Sequence, residues 1–459
     1  MPDDQDRSLS FRSIATLIAV VSIAVVIGRI CSAESKDRKT TFFSANDRSR
    51  WCMISALVDH GTYSIDDVIK RRGWNTIDKV RHADRDGVMR HYSSKPPLYP
   101  TLLAAKYWVV KNITGASLSQ DPFYAGRLML ILSNVPLLVL YFYFLTKLVD
   151  EFAESDWTKV FVMVAAGFGT LLTPLAISLS NHLPAAVCAL LTIWALVRIW
   201  KHANDPNTEE VDGRPRHSGW MFFLTGLAAA FTAANELPAL SFFAVVSAVA
   251  LALSPRMTLR AYLPGCAIVA AGFFATNYAA HASWKPPYAH RSVDDNWYDY
   301  PGSYWMTEKQ GVDKGEPSKA VYAVNALVGH YGIYSLTPIW IFSLFGMAIW
   351  ATRGATEHRA IAIGTFILMA VCLTFYILLR SQKDRNYGGV CCGFRWMFWF
   401  IPMWLMTSIP ALEKVAVSRI GQGFAIICLA VSIFSASFPA NNPWTSPWIY
   451  QYWQSLGWL

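Results

Sequence analysis

The chain has 459 residues, 54% of them apolar, 14% aromatic and only 15% charged. A soluble domain carries close to a quarter of its residues charged, so this composition excludes an ordinary water-soluble enzyme and calls for an integral membrane protein. The formal charge of +9 is no argument for nucleic acid, because Lys and Arg retained on cytoplasmic loops make most polytopic proteins basic.

Taken in order, residues 1 to 13 are polar, and Ile14 to Ile30 form an apolar run with Arg29 at its outer end, where a long side chain can snorkel. A cleaved signal peptide is the rival reading, with Ser32-Ala33 as its cleavage site; the length of the run and the acidic leader favour a retained helix. Pro96 to Val110 is apolar but short and Pro-led, which predicts an interfacial helix lying on the membrane. Further spans are predicted over Ala125–Leu148, Trp157–Leu179, Leu183–Trp200, Trp220–Ala234, Leu237–Leu253, Tyr262–Ala280, Leu336–Ala351, Ala360–Leu379, Trp396–Leu412 and Ile420–Phe438. The expectation is one all-α polytopic membrane domain over residues 1–459, with about eleven spans. Two large loops interrupt it, residues 32–124 and 281–335.

Orientation follows from the short loops. With the N-terminus inside, the inner segments hold Arg7, Arg12, Lys147, Lys159, Arg198, Lys201, Arg214, Arg216, Arg256, Arg260, Arg353, Arg359, Lys414 and Arg419, while the turns at Ser180-Asn181 and Asn235-Glu236 carry no Lys or Arg. The first loop, the turn Ser178–Pro184, the loop Trp284–Thr337 and the segment Ser381–Arg395 then share the outer face, with the C-terminal tail also outside. These are the polar, motif-bearing parts of the chain, as an outward-facing enzyme on a rigid scaffold requires.

Cys188, Cys266, Cys372 and Cys428 fall inside apolar spans and Cys391-Cys392 are adjacent, so only Cys31 and Cys52 are candidates for a bridge, across the first loop. No metal-ligand spacing is present. His290 and His330 with Asp294 or Asp295 match no standard pattern, and Asn112-Ile113-Thr114 is a glycosylation sequon by pattern alone. No Gly-rich nucleotide loop occurs.

Three stretches carry chemistry. The first is Asn46-Asp47-Arg48-Ser49-Arg50-Trp51; the second is Tyr92-Ser93-Ser94-Lys95-Pro96-Pro97-Leu98-Tyr99-Pro100, where two prolines fix the backbone after the lysine. The third runs from Asn386-Tyr387-Gly388-Gly389 to Gly393-Phe394-Arg395, a flexible turn that ends in an arginine before an aromatic span. An early carboxylate after the first span, a helix-like segment and a Lys-Pro-Pro-Leu corner in one loop resemble the C-type superfamily of membrane glycosyltransferases. The likeness is closest to the protein O-mannosyltransferases and to the enzymes that add aminoarabinose or galacturonic acid to lipid A and lipopolysaccharide core.

That resemblance implies inverting transfer of a hexosyl or pentosyl group from a polyprenyl-phosphate donor to a lipid, glycan or protein acceptor, at the outer face of the plasma (inner) membrane. It implies Asp47 as catalytic base and Lys95 and Arg395 as cations for the donor phosphate. Arg48, Tyr92, His182, Glu236, His330, Asn386 and Tyr387 are the further substrate-binding candidates. Arg48 replaces the second acid of the family's Asp-Glu pair, so no metal ligands are assigned and no cofactor is required, with a divalent metal left open. Plainer readings stand beside each assignment: Asp47 as a helix cap, Lys95 as a solvated charge, Arg395 as a snorkelling interfacial residue. The loop Asp294–Trp305, carboxylates mixed with aromatics, is expected to meet the acceptor. A transporter or lipid flippase without transferase activity is the alternative function, though such proteins place polar residues at mid-membrane and here they crowd the outer ends.

Overall fold

In the computed structural model every predicted apolar run contains a helix, because backbone polar groups in a hydrocarbon setting are satisfied only within the segment itself; the run Trp157–Leu179 is broken after Phe168 and resumes only as the turn Leu172–Leu175, and Leu336–Ala351 is broken before Trp340. The structure describes residues 10–204, 210–211, 214–215, 218–439 and 441–459; of the residues used for orientation, Arg7 and Arg216 lie outside these, and Arg214 is described in its backbone alone. The helices are α1 (Phe11–Cys31), α2 (Ala45–His60), α3 (Leu98–Thr114), α4 (Pro122–Phe152), α5 (Asp156–Phe168), α6 (His182–Ala203), α7 (Gly219–Asn235), α8 (Leu240–Leu253), α9 (Leu263–His281), α10 (Lys319–Leu327), α11 (Trp340–Arg353), α12 (Thr356–Thr374), α13 (Ile401–Ala416), α14 (Arg419–Ser437) and α15 (Trp448–Ser455).

Among the described residues seven helical stretches are long and apolar enough to cross a membrane: Phe11–Cys31, Pro122–Phe152, Asp156–Leu175, His182–Ala203, Pro255–His281, Thr356–Leu379 and Arg419–Ser437. The other four predicted spans coincide with shorter helices, α7, α8, α11 and α13, so the sequence count of about eleven exceeds what length and composition establish. Small side chains let some of these helices approach closely. Where α11 crosses α13, a Cβ added to Gly346 would overlap the Thr407 carbonyl.

The all-α expectation is corrected in the first loop. Lys79–Ala83 (β1) and Met89–Ser93 (β2) form an antiparallel hairpin that pairs Val80 with Tyr92 and His82 with Arg90. The signal was present in the sequence: Asp84-Arg85-Asp86-Gly87 is a turn, with Gly87 at φ 79° and its N–H donating to the Asp84 carbonyl at 2.9 Å. A minor antiparallel pair, Glu210–Val211 (β3) with Arg214–Pro215 (β4), lies between α6 and α7. The second loop is laid on the hairpin: Arg81 N–H donates to the Trp297 carbonyl (2.8 Å) and Trp305 Nε1–H to the Ile77 carbonyl (2.9 Å). Val80, Tyr92 and Tyr298 share a small core there, against Tyr63, Trp297 and Trp305.

Helix α3 occupies the place of the predicted interfacial helix, packed on α2 with Leu102, Trp108, Val109 and Ile113 exposed. The sequon residue Asn112 is helical there, its Nδ2 donating to the Trp108 carbonyl at 2.8 Å. Cys31 and Cys52 are both free, Cys31 exposed and Cys52 buried with its thiol on the Trp74 carbonyl at 3.3 Å, so the suggested bridge is absent.

Candidate functional site

The four segments that the sequence places on one face converge on a single cavity of about 640 Å³. Its floor is the first turn of α2. Ser44 is the N-cap, its hydroxyl accepting from the N–H groups of Asn46 (3.1 Å) and Asp47 (3.2 Å), and Asp47 completes a capping box from the third helical position. Asp47 Oδ2 accepts from Phe43 N–H (2.9 Å), and Oδ1 accepts from the N–H groups of Ser44 (2.7 Å) and Arg48 (2.8 Å) and from the Ser44 hydroxyl (3.0 Å). The side chain is fully buried. Burial pushes its pKa up while the Phe43 and Ser44 donors pull the other way. Asp47 does not line the cavity; Ser44, Ala45, Asn46 and Arg50 on either side of it do.

Arg50, which sequence reasoning passed over, is the more telling residue of this turn. It is 5% exposed, and its guanidinium donates to the Asn46 carbonyl (3.0 Å), the Asn46 side-chain oxygen and Asn181 Oδ1 (2.6 Å). All three acceptors are neutral. Burial, with the nearby Arg395 charge, lowers its pKa to about 10. A buried cation without a counter-ion costs several kcal/mol, and an anion arriving in the cavity relieves that cost.

The turn between the two short outer ends ties this arginine to the next. Asn181 Nδ2 donates to the Asn235 carbonyl and to Glu236 Oε1, both at 2.8 Å, and His182 Nδ1 meets the same carboxylate oxygen. Arg395 Nη1 donates to His182 Nε2 at 3.1 Å. A guanidinium can only donate, so Nε2 is the acceptor and the imidazole proton sits on Nδ1, directed at Glu236. Glu236 Oε2 takes no hydrogen bond from the described residues, and Glu236 lines the cavity.

Arg395 is aimed by a strained turn. Tyr387, Gly388 and Gly389 all have positive φ (56°, 96° and 84°), an unfavourable conformation for tyrosine. It is held by the Tyr387 hydroxyl donating to Glu316 Oε1 (2.8 Å) and by the ring stacking on Tyr331 at 4.5 Å. The Gly388 carbonyl accepts from Arg395 Nε at 2.6 Å, and a Cβ on Gly388 would stand 2.7 Å from that nitrogen. Arg395 lies 5.1 Å from the Trp444 ring centroid, and among the described residues it too lacks a carboxylate partner.

Lys95 lines the same cavity, in an ion pair with Asp78 at 2.9 Å, its side chain 17% exposed. Burial lowers its pKa to about 8 against the pull of Asp78. The second loop closes the cavity with Arg291, Tyr298, Trp305, Lys309 and Asp313, and the segment after α12 adds Arg380, Lys383 and Asp384. Seven Lys and Arg side chains line the cavity against four carboxylates.

Of the sequence candidates, Lys95, His182, Glu236, Asn386 and Arg395 are thus brought together at one cavity. The others are not. Arg48 turns to the Asn75 carbonyl (3.0 Å), and Tyr92 is buried in β2 with its ring stacked on His82 at 4.3 Å. His330 sits behind the wall among Tyr331, Tyr387, Tyr450 and Trp453, its pKa lowered by burial to about 4. Tyr387 positions the Arg395 turn from behind. His290 spends both ring nitrogens inside the second loop, on Asp295 (2.6 Å) and on Ser283 (3.1 Å). No group of three or more His, Cys, Asp or Glu among the described residues is placed to hold a metal.

No protein-family model and no curated protein matches the chain by sequence. Solved structures match it by fold. The apo oligosaccharyltransferase of Archaeoglobus fulgidus aligns with 99% of this chain at a TM-score of 0.50 and 13% identity. The chain has the fold of a C-type membrane glycosyltransferase. The oligosaccharyltransferase AglB from the same archaeon, in complex with an inhibitory peptide and a dolichol-phosphate, aligns with 98% of the chain at 0.50 and 11% identity. ArnT from Cupriavidus metallidurans, bound to undecaprenyl phosphate, aligns with 91% at 0.44 and 13% identity, over 62% of its own length. The chain spans 58% of the length of the archaeal structures. In this chain the loops gather over the ends of the helices, where the cavity lies.

Proposed function

We propose that the protein is a glycosyltransferase that moves a hexosyl or pentosyl group from a polyprenyl-phosphate donor to an acceptor at the outer face of the membrane, with inversion. The observation that carries this reading is the pair of guanidiniums, Arg50 and Arg395, which line one cavity, are paired with no carboxylate among the described residues, and are linked through the adjacent residues Asn181 and His182. Forked donors of this kind suit the oxygens of a phosphate leaving group, and Lys95, close enough to feel both charges, adds a third. Charge that develops on the departing phosphate would be met by cations already in place. The archaeal structure that holds a dolichol-phosphate supports a lipid-phosphate ligand for the fold.

Proton removal from the acceptor is assigned here to Glu236. It lines the cavity with one oxygen unengaged, and His182 and Asn181 fix the other. Asp47, the base implied by family resemblance, instead holds the turn that presents Asn46 and Arg50; both its oxygens are occupied by four donors. The acceptor enters past the second loop, and the bilayer delivers the donor tail. No nucleotide takes part in this scheme.

The test is capture of the leaving group. Native mass spectrometry of the detergent-solubilised protein with undecaprenyl phosphate is expected to show one lipid per chain, reduced in Arg50→Met and Arg395→Met. Equal lipid occupancy in wild type and both variants would remove the phosphate site from this cavity.

A further inference from the structure

The donor phosphate does not account for all the charge in the cavity. Arg50, Lys95 and Arg395 cluster about Asn181, His182 and Asp78, whereas Arg291, Lys309, Arg380 and Lys383 form a separate group on the second loop and the segment after α12. This outer group is poorly neutralised from within. Arg291 and Arg380 share one carboxylate, Asp384, at 3.8 Å and 3.4 Å, and Asp384 also accepts from the Ser381 hydroxyl at 2.9 Å. Arg380 Nε is buried without a hydrogen-bond partner. Among the described residues Lys309 donates only to the carbonyls of Tyr304 and Thr307. Asp313, the other carboxylate of this wall, accepts from the Tyr304 hydroxyl at 2.8 Å.

The cations are also held in place by aromatic rings. The Arg291 guanidinium lies 4.1 Å from the Tyr298 ring centroid and 5.5 Å from that of Trp305. Lys309 Nζ lies 4.3 Å from Tyr304 and 5.7 Å from Trp305. Trp305 is itself pinned, through its indole N–H, to the Ile77 carbonyl next to Asp78. Stacking keeps these charges from wandering into solvent and leaves their free edges toward the cavity. A partly buried tryptophan that lines the cavity beside fixed cations is a combination that suits a sugar ring carrying a negative charge: the sugar packs on the indole and the anion meets the cations.

We propose that this outer wall is an acceptor subsite selective for an anionic saccharide, one whose sugar bears a phosphate or a carboxylate. The proposal rests on the glycosyltransferase reading for the word acceptor; the ligand chemistry stands on the wall itself. A neutral glycan would leave four cations facing a single shared carboxylate and Asp313.

Direct binding tests this apart from turnover. Wild-type protein in detergent is titrated by microscale thermophoresis with three matched disaccharides that end in glucose, glucose 6-phosphate or glucuronate, and with an acidic serine-containing peptide. The expected result is at least roughly tenfold tighter binding of one or both charged sugars than of the neutral one, the size of one charge-assisted hydrogen bond. The phosphate and carboxylate arms show which anion the wall takes. Arg291→Gln and Lys309→Gln should bring the charged-to-neutral ratio down toward one. Arg291→Lys, which keeps the charge but loses the stacked fork, should lower it less. Equal affinity for the neutral disaccharide, tighter binding of the peptide, or a ratio unmoved in both Gln variants would overturn the proposal. Selective binding of a charged sugar by a protein that never consumes a lipid-phosphate donor would leave this subsite standing and remove the transferase reading instead.

Discussion

Lys95 offers the sharpest quantitative handle, because its charge is predicted to vary within an accessible pH range. Its ammonium is 2.9 Å from Asp78 and its pKa is lowered to about 8, by burial first, with Arg50 and Arg395 adding to the effect. The protonated form, present below about pH 8, is the one that can hold a phosphate, so donor affinity is lost as pH rises through that value. Between pH 7 and pH 9 the charged fraction falls roughly tenfold, and donor affinity should fall by about the same factor. Lys95→Arg, always charged, should flatten this profile. Lys95→Met removes the cation at every pH and leaves Asp78 unpaired beside the phosphate, which should weaken donor binding by roughly 1.5–3 kcal/mol, or ten- to a hundredfold. Binding of a fluorescent polyprenyl phosphate to protein in nanodiscs, measured from pH 6.5 to 9.5, reads both effects. A wild-type profile that is flat across pH 8, together with unchanged affinity in Lys95→Met, would refute the phosphate role and return Lys95 to a structural ion pair.

Four further outcomes are expected. Glu236→Gln keeps the oxygen that Asn181 and His182 donate to, so it should fold normally while turnover drops on the order of a hundredfold to ten-thousandfold; near-wild-type turnover would show that Glu236 is not the base. Asp47→Asn turns an amide N–H toward backbone donors at the capping box and should lower stability by about 1–3 kcal/mol in thermal unfolding; full stability with abolished turnover would move the base role to Asp47. Gly346→Val should cost roughly 1–3 kcal/mol by forcing α11 off α13, checked by the same melt. In a Cys31→Ser background, a cysteine at Val293, 99% exposed, should react with a membrane-impermeant maleimide in intact cells, and one at Val417, 87% exposed, only after lysis; the opposite pattern would reverse the orientation and the side on which the cavity opens.

Much of the architecture was readable because lipid-facing helices announce themselves by unbroken apolar runs, and each run contains a helix here. Span number was harder, since α7, α8, α11 and α13 are short and their packing depends on close approaches such as Gly346 on Thr407 that composition does not encode. The hairpin was missed although Asp84-Arg85-Asp86-Gly87 marks its turn, because its strands are short and carry Lys79, Arg81 and Arg90 among few apolar residues. Lys95 and Arg395 were found through the Lys-Pro-Pro-Leu corner and the Gly-rich turn that carry the family resemblance, and His182 and Glu236 as polar residues at turns between apolar segments. Arg50 was not, because an arginine six residues past a helix cap looks like a solvated face; only the arrival of Asn181, more than a hundred positions away, shows that it is buried. Asp47 shows the converse. Its spacing from Ser44 is that of a capping box, and a local motif of that kind cannot reveal whether the carboxylate also reaches a cavity. His330 and Tyr387 lie close to the site in sequence terms but behind its wall in space.

The most direct measurement is the fate of a labelled donor. Reconstituted protein supplied with a radiolabelled polyprenyl-phosphate hexose and a membrane-glycolipid extract should release free polyprenyl phosphate in step with a glycoside of inverted anomeric configuration, and Lys95→Met and Arg395→Met should slow both together. Movement of the intact donor to the other leaflet without cleavage, or a product of retained configuration, would contradict the account.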